Sequence, residues 1–357
     1  MLTTLFHIPS RITWGTGSLP LFGFGILLAV IGAVAVVLLA TTAARQGWRA
    51  AVSLLGGPLL VAAAVVAFVL PALDDGKGVP IRGYGVMLLL AAAAGIWLSV
   101  ARGRRMGFDA DTILALGMEI FVAGIIGARL FYVIEYHETF FPPGRPLRDG
   151  LLDAINIPAG GLVVFGSLPA AGLAAWWFAK RRKLPLLRLA DCIAPGMLVG
   201  LALGRIGCFL NGCCYGGPCD LPWAVQFPPE SPPWVDQVQR GLLPSPAADQ
   251  PASQPEVWSL PVHPAQLYAA IDAALLAWLA VVFTPLARRQ GEVFALVLTL
   301  HPLSRILLEQ IRVDEPPALG TPLSISQLIS VGLLLLATAL WWWIARHGRL
   351  CSAEASL

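Results

Sequence analysis

Apolar stretches of about twenty residues recur along this chain, nearly free of charge and separated by short polar joints. Nine such windows lie at 19–41, 51–72, 81–101, 112–134, 160–179, 187–208, 265–287, 291–311 and 325–346. A hydrocarbon core about 30 Å thick needs about twenty helical residues to cross it. Barrel strands would instead alternate polar and apolar positions over about ten residues. The pattern predicts an all-α polytopic integral membrane protein of about nine transmembrane helices. Basic residues gather at alternate joints: Arg45 and Arg49; Arg102, Arg104 and Arg105; Lys180 to Lys183; Arg288 and Arg289; Arg346 and Arg349. Basic joints stay on the cytoplasmic side, so the amino terminus is expected outside and the carboxy terminus in the cytoplasm.

One joint is long. Residues 209–264 carry eight prolines between Pro228 and Pro255, which disfavours regular helix or central strand through most of the segment. It reads as an outward Pro-rich insertion. A repeat marks the front of the chain: Leu19-Pro20-Leu21-Phe22-Gly23-Phe24-Gly25 matches Val79-Pro80-Ile81-Arg82-Gly83-Tyr84-Gly85. Two regions follow, an additional N-terminal pair of spans over 1–78 and a membrane domain over 79–357. The second copy carries Arg82 and Tyr84 where the first has Phe22 and Phe24, so chemistry is expected in the second.

Composition agrees with the pattern. Only 13% of the 357 residues are charged and 57% are hydrophobic, against about 25% charged in soluble domains. A disordered chain, a coiled coil and an ordinary soluble enzyme are excluded. The net charge of +3 is spread over the joints rather than pooled, so no nucleic-acid partner is expected. No cleavable signal peptide is expected either, because the first apolar run follows a polar lead and is too long for a signal core.

Charges at membrane depth are costly and mark functional candidates. His301, Arg305, Glu309 and Arg312 are spaced i, i+4, i+8 and i+11, one stripe on one helical face, where Arg305 and Glu309 can pair. The surplus positive charge suits an anion. Arg205 sits between Gly204 and Gly207 near the end of its span, and a guanidinium fork matches phosphate oxygens. The pair Gly160-Gly161 opens one span and His263 precedes another. Glu119, Arg129 and Glu135 serve equally well as packing polar groups.

Taken together, these segments resemble the prolipoprotein diacylglyceryl transferases. The resemblance rests on Gly-Arg-Ile-Gly-Cys-Phe-Leu-Asn-Gly (204–212), His-Pro-Ala-Gln-Leu-Tyr (263–268) and Ser-Arg-Ile-Leu-Leu-Glu-Gln-Ile-Arg (304–312). Gly83-Tyr84-Gly85, Gly127-Ala128-Arg129, Gly160-Gly161-Leu162 and Asp191-Cys192-Ile193-Ala194-Pro195 add to it in the same order. The resemblance implies a bacterial inner-membrane enzyme with its active site toward the outer face. It implies phosphatidylglycerol as donor and the lipobox cysteine of a preprolipoprotein signal peptide as acceptor, with no cofactor and no metal. It places Arg205 and Arg305 on the phosphate and Glu309 behind Arg305. Tyr84, Asn211, Gly216, Gly160 and Gly161 then line the site. His301 or His263, the histidines on the motif segments, is this chain's own candidate acceptor of the thiol proton.

The chain departs from its family's pattern at several positions. Ala159 stands where a histidine usually precedes Gly-Gly-Leu, Cys208 and Cys213 replace an asparagine and a glutamate, His301 a tyrosine and Ala269 a glutamate. Cys208, Cys213, Cys214 and Cys219 form a cluster open to three readings. These are disulfides pinning the cap, a metal or iron–sulfur centre whose spacing lacks Cys-x2-Cys pairs, and reactive thiols. Two rival functions follow: a thiol–disulfide membrane oxidoreductase, and a catalytically inactive relative that binds anionic lipid or lipoprotein.

Overall fold

The computed structural model describes residues 4–14, 17–157, 160–244, 257–313 and 320–350. It is mostly helical, with four short strands that hydrophobic windows alone do not reveal. Two compact units are formed, one of residues 1–86 with 210–212, the other of 87–209 with 213–357.

In the first unit, β1 (Thr4–Ile8), β2 (Arg11–Trp14) and β3 (Gly17–Pro20) precede α1 (Ile26–Gln46). The window at 19–41 therefore begins in a strand, and the helix starts seven residues later. α2 (Trp48–Ala64) runs on through a π turn at Val65–Val69 into α3 (Leu70–Ala72). Pro71 lacks the N–H that a regular turn would use there. β4 (Val79–Arg82) pairs antiparallel with β1, and β2 with β3. The Asp74 carboxylate accepts N–H bonds from Gly76 and Gly78, shaping the turn into β4. That of Asp75 takes Lys77 N–H and meets His7 Nε2 at 2.9 Å. These bonds, the backbone ones first, hold both carboxyls below their usual range.

α1 has no buried residue. Val36 and Val37 on α1, like Leu60 on α2, lie open, as side chains facing lipid would.

α4 (Gly83–Arg105) begins in the first unit and continues into the second. There follow α5 (Ala110–Glu135), α6 (His137–Phe140), α7 (Leu147–Ile155), α8 (Val164–Arg181), α9 (Leu186–Asn211) and α10 (Pro232–Gln239), then α11 (Ala265–Phe283), α12 (Glu292–Glu309) and α13 (Ile325–His347). Among the described residues, the Pro-rich insertion thus holds one short helix, with two prolines in its first turn, where a missing N–H costs nothing. Among the described residues, seven helices are long and apolar enough to cross a membrane: α1, α2 with its extension to Ala72, α4, α5, α9, α11 and α13. α8 and α12 are the other two of the nine windows. Each has 18 residues, about 27 Å, and each carries charges within that length.

Packing in the second unit follows small residues and buried polar links. α5 and α8 meet where a Cβ on Gly127 would lie 2.4 Å from the Gly166 carbonyl oxygen, so only glycine allows this approach. Phe108, Ile113, Leu116, Phe178, Leu189 and Cys192 close a dry cluster beside it. Buried Asp191 on α9 accepts the N–H groups of Gly291 and Phe294, at 2.5 and 2.8 Å. A carboxylate from a neighbouring helix so caps α12. Buried Arg102 of α4 donates to the carbonyls of Asp191 and Cys192. This framework fixes α12, which carries the charged stripe.

Candidate functional site

The stripe holds from His301 to Glu309, the last residue of α12; Arg312 lies beyond the helix, paired with Gly216 in a bridge. Arg305 Nη2 lies 2.8 Å from Glu309 Oε2, and Arg312 Nη1 lies 3.8 Å from the same oxygen. The Glu309 side chain is 4% exposed and that of Arg312 6%. From the start of α13, Ser324 Oγ donates to Glu309 Oε1 and Ser326 Oγ receives Arg305 Nη2, at 3.2 and 3.0 Å. Ser324 also caps α13 in a capping box with Gln327. One serine thus ends a helix and orients the carboxylate that orients Arg305.

On the other side of the stripe stands α11. Ser304 Oγ donates to Asp272 Oδ2 at 2.7 Å. Asp272, Arg205 and Arg305 each act electrostatically on His301, so the α9 and α12 arginines both lie within electrostatic range of one imidazole. His301 Nδ1 is buried and has no hydrogen-bond partner among the described residues. Arg205, Arg305 and Arg312 against Glu309 and Asp272 leave one positive charge in the cluster.

The chain after α9 is stitched to the end of α12 and the start of α11. Gly216 N–H donates to His263 O, Gly217 N–H to Ile311 O and His263 N–H to Gly217 O. A Cβ on Gly216 would lie 2.6 Å from that of His263, so any side chain there would push the strands apart. Fully buried Gln266 donates Nε2 to Cys213 O at 2.8 Å. Tyr268 O–H lies 2.7 Å from Trp223 Nε1 and 3.5 Å from His263 Nδ1. Arg205 and Arg312 both act electrostatically on the Cys214 thiol. The sulfurs of Cys208, Cys213 and Cys214 lie within 4.8 Å of one another. Cys208, Cys214, Cys219 and Cys192 carry free thiols, and the Cys213 thiol donates to Cys208 O.

The remaining expected site residues are distributed differently. Tyr84 is exposed in the first turn of α4, and Asn211 is the exposed last residue of α9; both belong to the first unit. Gly160 and Gly161 present their carbonyls to Arg129 Nη1, at 2.5 and 2.9 Å. Arg129 also donates to the carbonyls of Ala154, Asp153 and Asn156, engaging five carbonyls with its planar fork. Its guanidinium stacks near Tyr132 and Phe140 as well. Arg129 is therefore the post on which the loop between α7 and α8 hangs. Ala159, the position of the family's histidine, lies outside the described residues.

Sequence reasoning passed over Asp272, Ser324 and Ser326, and over the role of Ser304, which it quoted only within a motif. Asp272 alone gave a signal, as a carboxylate inside an apolar window.

Comparison with known proteins places this geometry in a family. The family described as prolipoprotein diacylglyceryl transferase matches residues 71–343. A phosphatidylglycerol–prolipoprotein diacylglyceryl transferase of Rhodopirellula baltica is 38% identical over 253 residues, 68% of this chain and 50% of that protein. The chain thus spans about half the length of that relative. Proteins of the same name from Clostridium tetani and Corynebacterium efficiens are 28% and 31% identical, over 74% and 77% of this chain and 94% and 81% of their own. The chain belongs to the prolipoprotein diacylglyceryl transferase family.

Proposed function

We propose that this chain moves a diacylglyceryl group from phosphatidylglycerol to the lipobox cysteine thiol of a preprolipoprotein, in lipoprotein biogenesis. The observation that carries the reading is that Arg205 and Arg305 both act electrostatically on His301, in a member of a transferase family. The enzyme sits in a bacterial cytoplasmic membrane, with α8 and α12 completing nine spans and the arginine cluster toward the outer face. The alternation of basic joints supports that orientation.

Arg205 and Arg305 bind the phosphodiester. The acceptor sulfur attacks the glycerol carbon, a C–S bond forms, and the C–O bond to phosphate breaks. The electron pair moves to the leaving oxygen, so glycerol phosphate departs with one more negative charge than the diester held. Preorganised guanidiniums stabilise that charge as it develops. The thiol proton goes to His301 Nδ1, the buried nitrogen without a partner among the described residues. Asp272 balances the imidazolium, and Glu309 keeps Arg305 aimed. His263 is the alternative acceptor, held near Tyr268.

The test mixes purified chain with phosphatidylglycerol vesicles and a lipobox peptide and follows the thioether product by mass. A peptide gaining a diacylglyceryl mass from phosphatidylglycerol, and none from phosphatidylethanolamine, is the expected result. No product from either lipid would favour a binding relative without turnover.

A further inference from the structure

We infer that Cys208, Cys213 and Cys214 form a three-sulfur site for a soft monovalent cation of the cuprous class. Their sulfurs lie within 4.8 Å of one another. Three thiolates at about 2.3 Å around one ion would stand about 4 Å apart, so side-chain adjustment alone closes the site.

The backbone brings the sulfurs together. Cys208 lies on the last turn of α9, and Cys213 N–H donates back to its carbonyl at 3.2 Å. Cys214 follows in the left-handed region, with φ of 61°, unusual for a residue bearing a side chain. Gln266 of α11 holds the turn by its bond to Cys213 O. Cys192 differs: that thiol is fully buried and, among the described residues, belongs to no such group of sulfurs.

Ligand chemistry and charge select the ion. Among the described residues, no histidine or carboxylate joins the three sulfurs as a fourth ligand. A closed structural zinc site has four protein donors, which three sulfurs do not supply, whereas soft thiolates suit Cu(I). Three thiolates with one monovalent cation carry a charge of −2. Arg205 and Arg312 both act electrostatically on Cys214 and offset part of that charge, Arg312 sharing Glu309.

The experiment uses the full chain, reduced and anaerobic in nanodiscs, titrated with Cu(I) against bicinchoninate. One equivalent should bind. That equivalent should protect Cys208, Cys213 and Cys214 from iodoacetamide, mapped by mass, while Cys219 stays reactive. Because this readout uses the unaltered sequence, it does not depend on a variant folding. Cys213→Ser and Cys214→Ser should each lower Cu(I) affinity at least 100-fold, and Cys219→Ser should leave it unchanged. No protection, protection shared equally by Cys219, or a disulfide joining two of the three in membranes trapped with alkylating agent would overturn the inference. The last result would make the cluster a covalent or redox device.

Discussion

Arg305 and Glu309 form an ion pair one helical turn apart on α12, at 2.8 Å, with the carboxylate 4% exposed. The spacing makes the pair possible and the neighbours make it firm: Ser324 donates to one carboxylate oxygen, and Arg312 stands 3.8 Å from the other. Glu309→Gln keeps the shape and the Ser324 bond but leaves two guanidiniums without their counter-charge. Breaking one side of a buried pair costs about 3–5 kcal/mol. Thermal unfolding in detergent should therefore shift markedly downward, and turnover should fall with it. An unchanged transition would mean that water or lipid phosphate already screens Arg305.

Arg205→Lys separates charge from geometry. A lysine keeps the positive charge but loses the planar fork that can take two phosphate oxygens at once. Turnover should drop by about 10²–10³, the usual effect of removing one donor to a developing oxyanion, with a smaller change in KM. A variant within a few-fold of the parent would reduce Arg205 to a general electrostatic role.

Arg129 makes a different kind of prediction, because its donors are spent on the protein. Lysine offers three donors against arginine's five, so Arg129→Lys strands at least two of the five carbonyls. At about 1–3 kcal/mol for each buried group left unpaired, the loss should appear as proteolytic cleavage between residues 153 and 163 and as a lower unfolding temperature. Gly161→Ala should do the same, since a Cβ there would meet the Tyr132 ring at 2.3 Å. A defect in KM with full stability would instead mean that the Gly160-Gly161 segment touches lipid directly.

The orientation rests on the basic joints alone and is open to a simple check. A reporter fused after Lys183 should read cytoplasm, and one fused after Gly241 should read the outer compartment. The reverse at either position would move the arginine cluster to the cytoplasmic face.

What the sequence revealed depended on distance along the chain. The Arg305–Glu309 pair was legible because helical periodicity alone brings i and i+4 together. Each apolar window overlaps a helix for the same reason, since each is a local pattern, and seven of these helices are long and apolar enough to cross a membrane among the described residues. Asp272, Ser324 and Ser326, and the role of Ser304, were passed over because their partners lie on other helices. A lone serine in an apolar run carries no mark of the carboxylate it will meet. Arg129 read as an ordinary packing residue, because its five acceptors are backbone carbonyls, which look alike at every position. The strands at 4–20 were hidden by their shortness, four or five residues each. The cysteine cluster was visible as density. That three of the four converge, and that two arginines act electrostatically on Cys214, came from the fold.

The last prediction concerns the proton. An unperturbed cysteine thiol has a pKa of about 8.5, so an acceptor thiol is only a few per cent ionised at pH 7 and largely ionised at pH 9. A base is therefore needed at the lower pH and dispensable at the higher. His301 has a buried nitrogen with no partner among the described residues and stands within the charges of Arg205, Arg305 and Asp272. His301→Gln preserves size and polarity while removing the basic nitrogen. With phosphatidylglycerol and a lipobox peptide, its turnover should fall at least tenfold relative to the parent at pH 7, and by no more than a few-fold at pH 9. The same pair of measurements on His263→Gln should show no such difference between the two pH values. Equal loss at both pH values for His301→Gln would make that residue a packing element. A pH-selective loss confined to His263→Gln would move the base to the segment beside Tyr268.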